Sequence, residues 1–355
     1  MWLTSSSIGR KFVMAITGIC LVLFVTFHVL MNAVAIVWPT AYNVICEFLG
    51  ANWYALIASV GLAALFILHI VYASVLTVQN RKARGADRYA VTSRPPQVEW
   101  SSKNMYVLGI VVVAFLVVHL IQFWAKMQWQ EIRGTEYTVN AVTYAPQFGT
   151  LFIQDAFSKV YTPIIYIIGF VALWFHMNHG FWSMMHSVGW DNGVWINRLK
   201  TIGCWWVSIV VGLFIAQAIV FTVQAHNNHY LTDPKLQDQY AEYFGQKVED
   251  VVMELQATQM QAMQQNSPEA MNDFSQAIDK AIAELTPISE TAKQLCPNAT
   301  TGQSLMQVDN LVMQLQQMKM QVAAQQQMMQ PAQEEGDQEI EEFSAEEVEV
   351  NEPQN

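Results

Sequence analysis

The chain has 355 residues, 53% of them hydrophobic and only 13% charged, about half the charged share of an ordinary soluble domain. The apolar residues gather in long runs before about residue 226, which excludes a single soluble globular domain. The formal net charge of −11 hides two opposite halves: residues 1–226 hold 13 Lys and Arg against 7 Asp and Glu, and residues 227–355 hold 5 against 22.

Five runs are long enough to cross a bilayer, which takes about 20 apolar residues. They are Phe12–Trp38, Trp53–Val78, Met105–Trp124, Thr162–His186 and Thr201–Ala225, and none contains Asp or Glu. In hydrocarbon every backbone polar group needs an internal partner, so the runs are predicted to be helices. A barrel would show short alternating segments instead. The first run is too long for a cleaved signal peptide, and no small-residue cleavage site follows it.

The connecting segments give an orientation. Arg10 and Lys11 precede the first run. Pro39–Asn52 reads as a loop without bases, whereas Gln79–Lys103 carries Arg81, Lys82, Arg84, Arg88, Arg94 and Lys103. Ala125–Tyr161 carries Lys126, Arg133 and Lys159, and Arg198 and Lys200 precede the last run. The positive-inside rule then puts the N-terminus in the cytoplasm and everything after Ala225 outside.

Beyond the last run, Val251–Gln264, Glu269–Leu285 and Ser304–Met329 read as polar helices. Leu305, Val308, Val312 and Leu315 have heptad-like spacing, which fits either a helix paired with another or a loose one. Glu334–Glu352 is an acidic run of disordered composition. The expected architecture is all-α: a five-helix transmembrane bundle in residues 1–226 and a polar, partly helical, partly disordered extracytoplasmic extension in 227–355. Nothing in it points to nucleic acid. Of the four cysteines, Cys20 and Cys204 fall inside predicted helices, and Cys46 and Cys296 could meet in a disulfide outside the membrane.

Histidine carries the chemistry. An ionisable residue inside a membrane is a functional candidate, and His28, His69, His119 and His176 lie one on each of the first four runs. At about 1.5 Å per residue, His28 is about 24 Å from the inner face and His69 about 24 Å from the outer. His119 is about 21 Å from the inner face and His176 about 21 Å from the outer. In a core about 30 Å thick, His28 and His119 share an outer level and His69 and His176 an inner one. Two pairs at two depths suit two stacked haems with bis-histidine ligation, whereas the competing roles are interhelical hydrogen bonding and coordination of a metal ion or a proton relay. Transport sites usually add intramembrane carboxylates. Gly18, Gly61, Ala63, Ala64, Gly109, Gly169, Gly180 and Gly212 read as packing positions, and Gly180, four residues after His176, as a haem contact.

The stretch Ser6-Ser7-Ile8-Gly9-Arg10-Lys11-Phe12-Val13-Met14-Ala15-Ile16-Thr17-Gly18, followed by Phe27-His28 and Asn32, resembles the cytochrome b subunit of succinate dehydrogenase/fumarate reductase, of the b558 type. So does Phe175-His176-Met177-Asn178-His179-Gly180-Phe181-Trp182-Ser183 with Gly189-Trp190. The resemblance covers roughly residues 5–226. It implies a bacterial cytoplasmic-membrane anchor carrying electrons between a quinone, menaquinone above all, and flavoprotein and iron–sulfur subunits on the cytoplasmic face. It makes His28 and His119 the ligands of a distal haem b and His69 and His176 those of a proximal one, with His179 a rival to His176. His186, His226 and His229 read as interfacial. Ser7, Arg10, Lys11, Arg81 and Ser183 are the candidate propionate partners. Some relatives use a carboxylate at an outer menaquinone site, and Glu47 is the candidate for that role here. Other relatives carry a Glu two residues before the fourth ligand, where this chain has Trp174, so proton transfer by that route is not expected.

Overall fold

The computed structural model describes residues 6–84, 100–139, 142–190, 192–265 and 267–329. Among them the chain is all-α apart from one two-stranded hairpin. It folds as two units, 1–137 with 144–236 and 138–143 with 237–355. In chain order the first unit contains α1 (Ser7–Val37), α2 (Pro39–Ala51), α3 (Trp53–Arg84) and α4 (Trp100–His119), the last continued by a π-helical turn, Leu120–Trp124. After these come α5 (Gln128–Arg133), α6 (Gly149–Phe157), α7 (Tyr161–Ser187), α8 (Trp195–His226) and α9 (His229–Thr232); the strands β1 (Tyr137–Val139) and β2 (Val142–Tyr144), between α5 and α6 in the chain, fall mostly in the second unit.

Helices α1, α3, α7 and α8, together with α4 and its π turn, are long and apolar enough to cross a membrane, with mean hydropathy from 1.4 to 2.5. Their outward side chains are apolar too: Leu23, Ile67, Val107 and Ile209 are each more than half exposed. Such a surface is unfavourable in water and suits lipid. The helices run past the apolar segments because polar caps extend them. The Ser6 hydroxyl accepts the Gly9 N–H at 2.9 Å and starts α1. The Asn192 side-chain oxygen accepts the N–H groups of Val194 and Trp195 at 3.2 and 2.9 Å ahead of α8. Hydropathy marks the hydrocarbon layer, whereas capping marks the helix.

Helix α7 is the hub, packed against α1, α4 and α8, while α3 leans mainly on α1. Close approach depends on two glycines. A Cβ at Gly169 would overlap the Phe115 ring of α4, and one at Gly203 would overlap Phe181 of α7. Gly61 has open space around it, with nothing within 4 Å.

Two connections differ from the loops expected. Pro39–Asn52 is largely the helix α2, with Pro39 in its first turn, where the missing N–H is no loss. Ala125–Tyr161 holds α5, closed by Gly134 at φ 61°, and α6, every residue of which is buried except Asp155. These segments are too short to register as apolar runs, but they pack tightly. The Asn43 side-chain oxygen accepts both the N–H and the hydroxyl of Thr150, at 3.1 and 2.9 Å. A Cβ at Gly149 would lie 2.6 Å from Cys46 Sγ and from the Tyr42 ring. Asp155 joins Lys126 at 2.6 Å and Lys159 at 3.1 Å. Burial pushes the Asp155 carboxyl up, and the two ammoniums more than offset this, holding it below the usual carboxylate range.

The second unit is built from α10 (Pro234–Gln265), α11 (Pro268–Leu295), α12 (Gln303–Met306) and α13 (Val308–Met329). Helices are present in the three regions where they were expected, but α10 starts earlier than Val251 and the third, expected over Ser304–Met329, is broken at Gln307 into α12 and α13, with Leu305 on α12. Leu236, Tyr240, Phe244 and Val248 are buried along one face of it, at a spacing that the intervening charges obscure. Ser267 caps α11 by accepting the Ala270 N–H at 3.2 Å. On α11, Phe274, Ile278, Ala281, Leu285 and Ile288 form a buried stripe. The heptad-like helix is a paired one: α13 packs on α11, with Val308, Leu315 and Val322 buried and Val312 half-buried. All four cysteines are free thiols, so the Cys46–Cys296 bridge does not form. The acidic run Glu334–Glu352 lies outside the described residues.

Two substitutions test this packing. Gly169→Ala should lower stability by about 1–3 kcal/mol through overpacking against Phe115, while Gly61→Ala should be neutral or stabilising by up to about 1 kcal/mol. Thermal unfolding of both variants in detergent compares them. Asp155→Asn should cost on the order of 2 kcal/mol at pH 7, since it leaves two ammoniums without their counter-charge. Because the folded carboxyl titrates below its unfolded value of about 3.9, its contribution is present above that pH and is lost as pH falls through the folded value. The gap between wild type and variant in denaturation midpoint should therefore close in acid.

Candidate functional site

Five of the chain's eight histidines lie in the spans of α1, α3, α4 and α7 short of their ends, and four of these meet in two pairs. His28 of α1 faces His119 of α4, with ring centres 5.8 Å apart and planes at 85°. His69 of α3 faces His176 of α7, with ring centres 6.2 Å apart and planes at 64°. The depth estimate groups the same residues. Two imidazoles on one metal ion, each bonded at about 2 Å, have ring centres about 6 Å apart. Both pairs therefore have the separation that a shared iron requires.

A ligand imidazole needs its proton on one nitrogen and a lone pair on the other. The Thr17 hydroxyl donates to backbone carbonyls of its own helix, Val13 at 2.9 Å and Met14 at 3.1 Å. His69 Nδ1, 3.1 Å from Thr17 Oγ1, then donates to that oxygen and leaves Nε2 with the lone pair. His119 Nδ1 lies 3.2 Å from the Tyr166 hydroxyl, so Nδ1 is engaged there and Nε2 is open. His28 differs: its Nε2 is 3.2 Å from Asn32 Nδ2, and that amide donates to it. His176 Nδ1 is buried without a hydrogen-bond partner.

The surroundings of the two pairs contrast. Phe24 stacks on His28 at 5.4 Å, and Phe214 lies 6.1 Å away. Phe115, Phe123 and Tyr166 surround His119 at 6.1, 5.3 and 6.1 Å. The other pair has glycines beside it. A Cβ at Gly109 would be 3.5 Å from His176 Cε1, and one at Gly18 would be 3.9 Å from His69 Cε1. Gly180, expected against the haem, has Met105 Cε as its nearest neighbour, 3.8 Å from a Cβ built there. Gly18 and Gly109 are the small residues that flank the imidazoles.

The remaining sequence candidates fall as follows. His179 packs on Trp182 at 4.9 Å rather than on His69. His186 and His226 are exposed, and His229 lies against Tyr230 at 5.3 Å. Arg10 Nε is buried without a hydrogen-bond partner. Lys11 is exposed, Arg81 lies over the Tyr106 ring at 6.0 Å, and the Ser183 carbonyl accepts the Ser187 hydroxyl at 2.9 Å. The Ser7 side chain lies outside the described residues. Glu47 is on α2 and exposed. Trp174 donates its indole N–H to Ser208 at 3.0 Å, an interhelical tie in place of a carboxylate.

Sequence reasoning missed Thr17, Tyr166 and the π turn after His119. The first two are polar groups inside apolar runs, a legible signal. The turn is not legible: in it the Ala125 N–H reaches the Leu120 carbonyl at 2.8 Å. Gln122 is thereby buried, its amide donating to Thr162 Oγ1 at 3.1 Å. Such turns often sit next to functional residues. Among the described residues no group of three or more His, Cys, Asp or Glu could hold a metal ion. Each histidine pair offers two nitrogens and needs the rest of the coordination from elsewhere. Comparison with known protein families, with characterised proteins and with solved structures finds no match.

Proposed function

We propose that this chain is a di-haem membrane-anchor cytochrome b, carrying electrons between a membrane quinone and the iron–sulfur and flavoprotein subunits of a succinate:quinone oxidoreductase. The observation that supports it is the pair of facing imidazoles at each of two positions, 5.8 and 6.2 Å between ring centres. Two imidazoles would be too few protein ligands for a bare zinc ion but would suit a b haem, which when bound would supply one-electron transfer.

The protein's own groups have separate tasks in this reading. His28 and His119 would hold one haem iron, and His69 and His176 the other. Thr17 and Tyr166 orient His69 and His119 through Nδ1. The half-buried Arg10, with Lys11, Arg81 and Ser183, would meet propionates at the inner end of the bundle. Glu47 is the carboxylate on the outer side for proton exchange with menaquinone. The five spans contain no Asp or Glu, which disfavours a proton-coupled transporter. The basic segments at one side, with Lys11, Arg81, Lys103, Arg198 and Lys200, orient that side to the cytoplasm of a bacterial inner membrane. They would also receive the soluble subunits, with the C-terminus outside.

A reduced-minus-oxidised optical spectrum of the purified chain, with haem quantified, tests the reading. Two low-spin b haems per chain are expected, and membranes holding the whole complex should couple succinate oxidation to menaquinone reduction. A chain that binds no haem would overturn the proposal and leave the histidines as helix-packing residues.

A further inference from the structure

Exposed apolar side chains are sorted by kind between the two units. Among the described residues of the first unit they are aliphatic or aromatic, and none is Met. Among those of the second unit every exposed large hydrophobic side chain is Met: Met253, Met260 and Met263 on α10, Met306 on α12, and Met313 and Met320 on α13. On the two long helices they turn away from the core. Met253 and Met260 stand two residues, more than half a helical turn, before the buried Leu255 and Ala262. Met313 and Met320 stand likewise before the buried Leu315 and Val322. Helix propensity does not explain the choice, since Leu, Lys and Gln form helices about as well. Core packing does not explain it either, because these side chains take no part in the core. What Met brings to an exposed helix face, and Leu, Lys and Gln do not, is a thioether sulfur, a soft and polarisable donor that ligates soft metal ions.

Met260 and Met263 are placed to act together. They are three residues apart on α10, neighbours on one helix face with Cβ atoms about 5–6 Å apart, and they are 61% and 72% exposed. Each sulfur rides on an unbranched chain with three rotatable bonds, so both can turn onto one ion between them. Met253 and Met260, like Met313 and Met320, are seven residues apart, about 10 Å along the helix axis, which leaves Met253, Met313 and Met320 as single thioethers. The local sequence suits a soft ion and not a hard one. From Leu255 to Gln265 there is no Asp, Glu, Lys, Arg or His, whereas hard cations such as calcium and magnesium take oxygen ligands, carboxylates among them. We propose that Met260 and Met263 form a binding site for a soft monovalent cation, Cu(I). The site shares no residue with the histidine pairs, so it stands or falls independently of the haem reading.

The test uses the full chain in detergent, with its methionine methyl groups 13C-labelled and their signals assigned by single Met→Leu substitutions. Cu(I) is titrated in without oxygen, its free concentration set by a competing chromophoric chelator. The methyl signals separate binding at the pair from binding at the free thiols of Cys20, Cys46, Cys204 and Cys296. The signals of Met260 and Met263 should shift together and saturate at the same Cu(I) concentration, below that which moves Met253 or Met313. Met260→Leu should raise the concentration needed to shift Met263 by about tenfold or more, because one thioether then lacks the chelating second. Met263→Leu should do the same to Met260, and Met313→Leu should change neither. All three substitutions are at exposed positions and keep helix propensity, so the fold is expected to survive them. Signals of Met260 and Met263 that stay in place, or that move no earlier than that of Met253, would overturn the proposal. So would an unchanged response of either methionine after loss of the other.

Discussion

Four imidazoles inside an apolar bundle need partners, and the arrangement of the helices follows from meeting that need. Polar groups in hydrocarbon are tolerated only when satisfied internally. Each ring here is turned inward toward a ring from another helix, and three of the four are tied to a hydroxyl or amide: Thr17, Tyr166 and Asn32. This fixes α1 against α3 and α4 against α7 at the level of the rings. It also fixes the pairs to one another, because α7 packs on both α1 and α4. The glycines serve the same end. Gly169 and Gly203 bring aromatic rings onto helix backbones, while Gly18 and Gly109 leave space beside His69 and His176.

The segments between the spans are part of the same construction. Helices α2 and α6 are joined by the Asn43–Thr150 bonds and by the contact of Gly149 with Tyr42 and Cys46. Gln154 of α6 donates to the Ala225 carbonyl at 2.7 Å, which ties the end of α8 to the same group of helices. Through Tyr42 and Asn32 these helices reach the His28 ring. The packing of α2 is thereby linked to an imidazole with which it shares no direct bond.

Much of this was legible in the sequence, for stated physical reasons. The five spans follow from hydropathy because lipid imposes a length and a composition. The pairing of histidines follows from counting residues, because the rise of a helix is fixed. The additions needed other information. Ser6 and Asn192 extend helices beyond the apolar runs through capping, which hydropathy does not register. α2 and α6 are 13 and 9 residues long and lack the length that marks a span. The early start of α10 was masked by charges between Leu236, Tyr240 and Phe244. The bond between Asn32 and His28 was readable as a four-residue spacing on one helix face, whereas its tie to Tyr42 depends on how α2 packs.

The central claim is that the four imidazoles work as two pairs, one pair to each haem. Haem content and optical spectra of the four single His→Ala variants, recorded on the purified chain, test it most directly. His28→Ala and His119→Ala should lose the same haem, and His69→Ala and His176→Ala the other, leaving about one haem per chain in every case. Loss of the same haem in His28→Ala and His69→Ala, or full haem content in any of the four, would contradict the account.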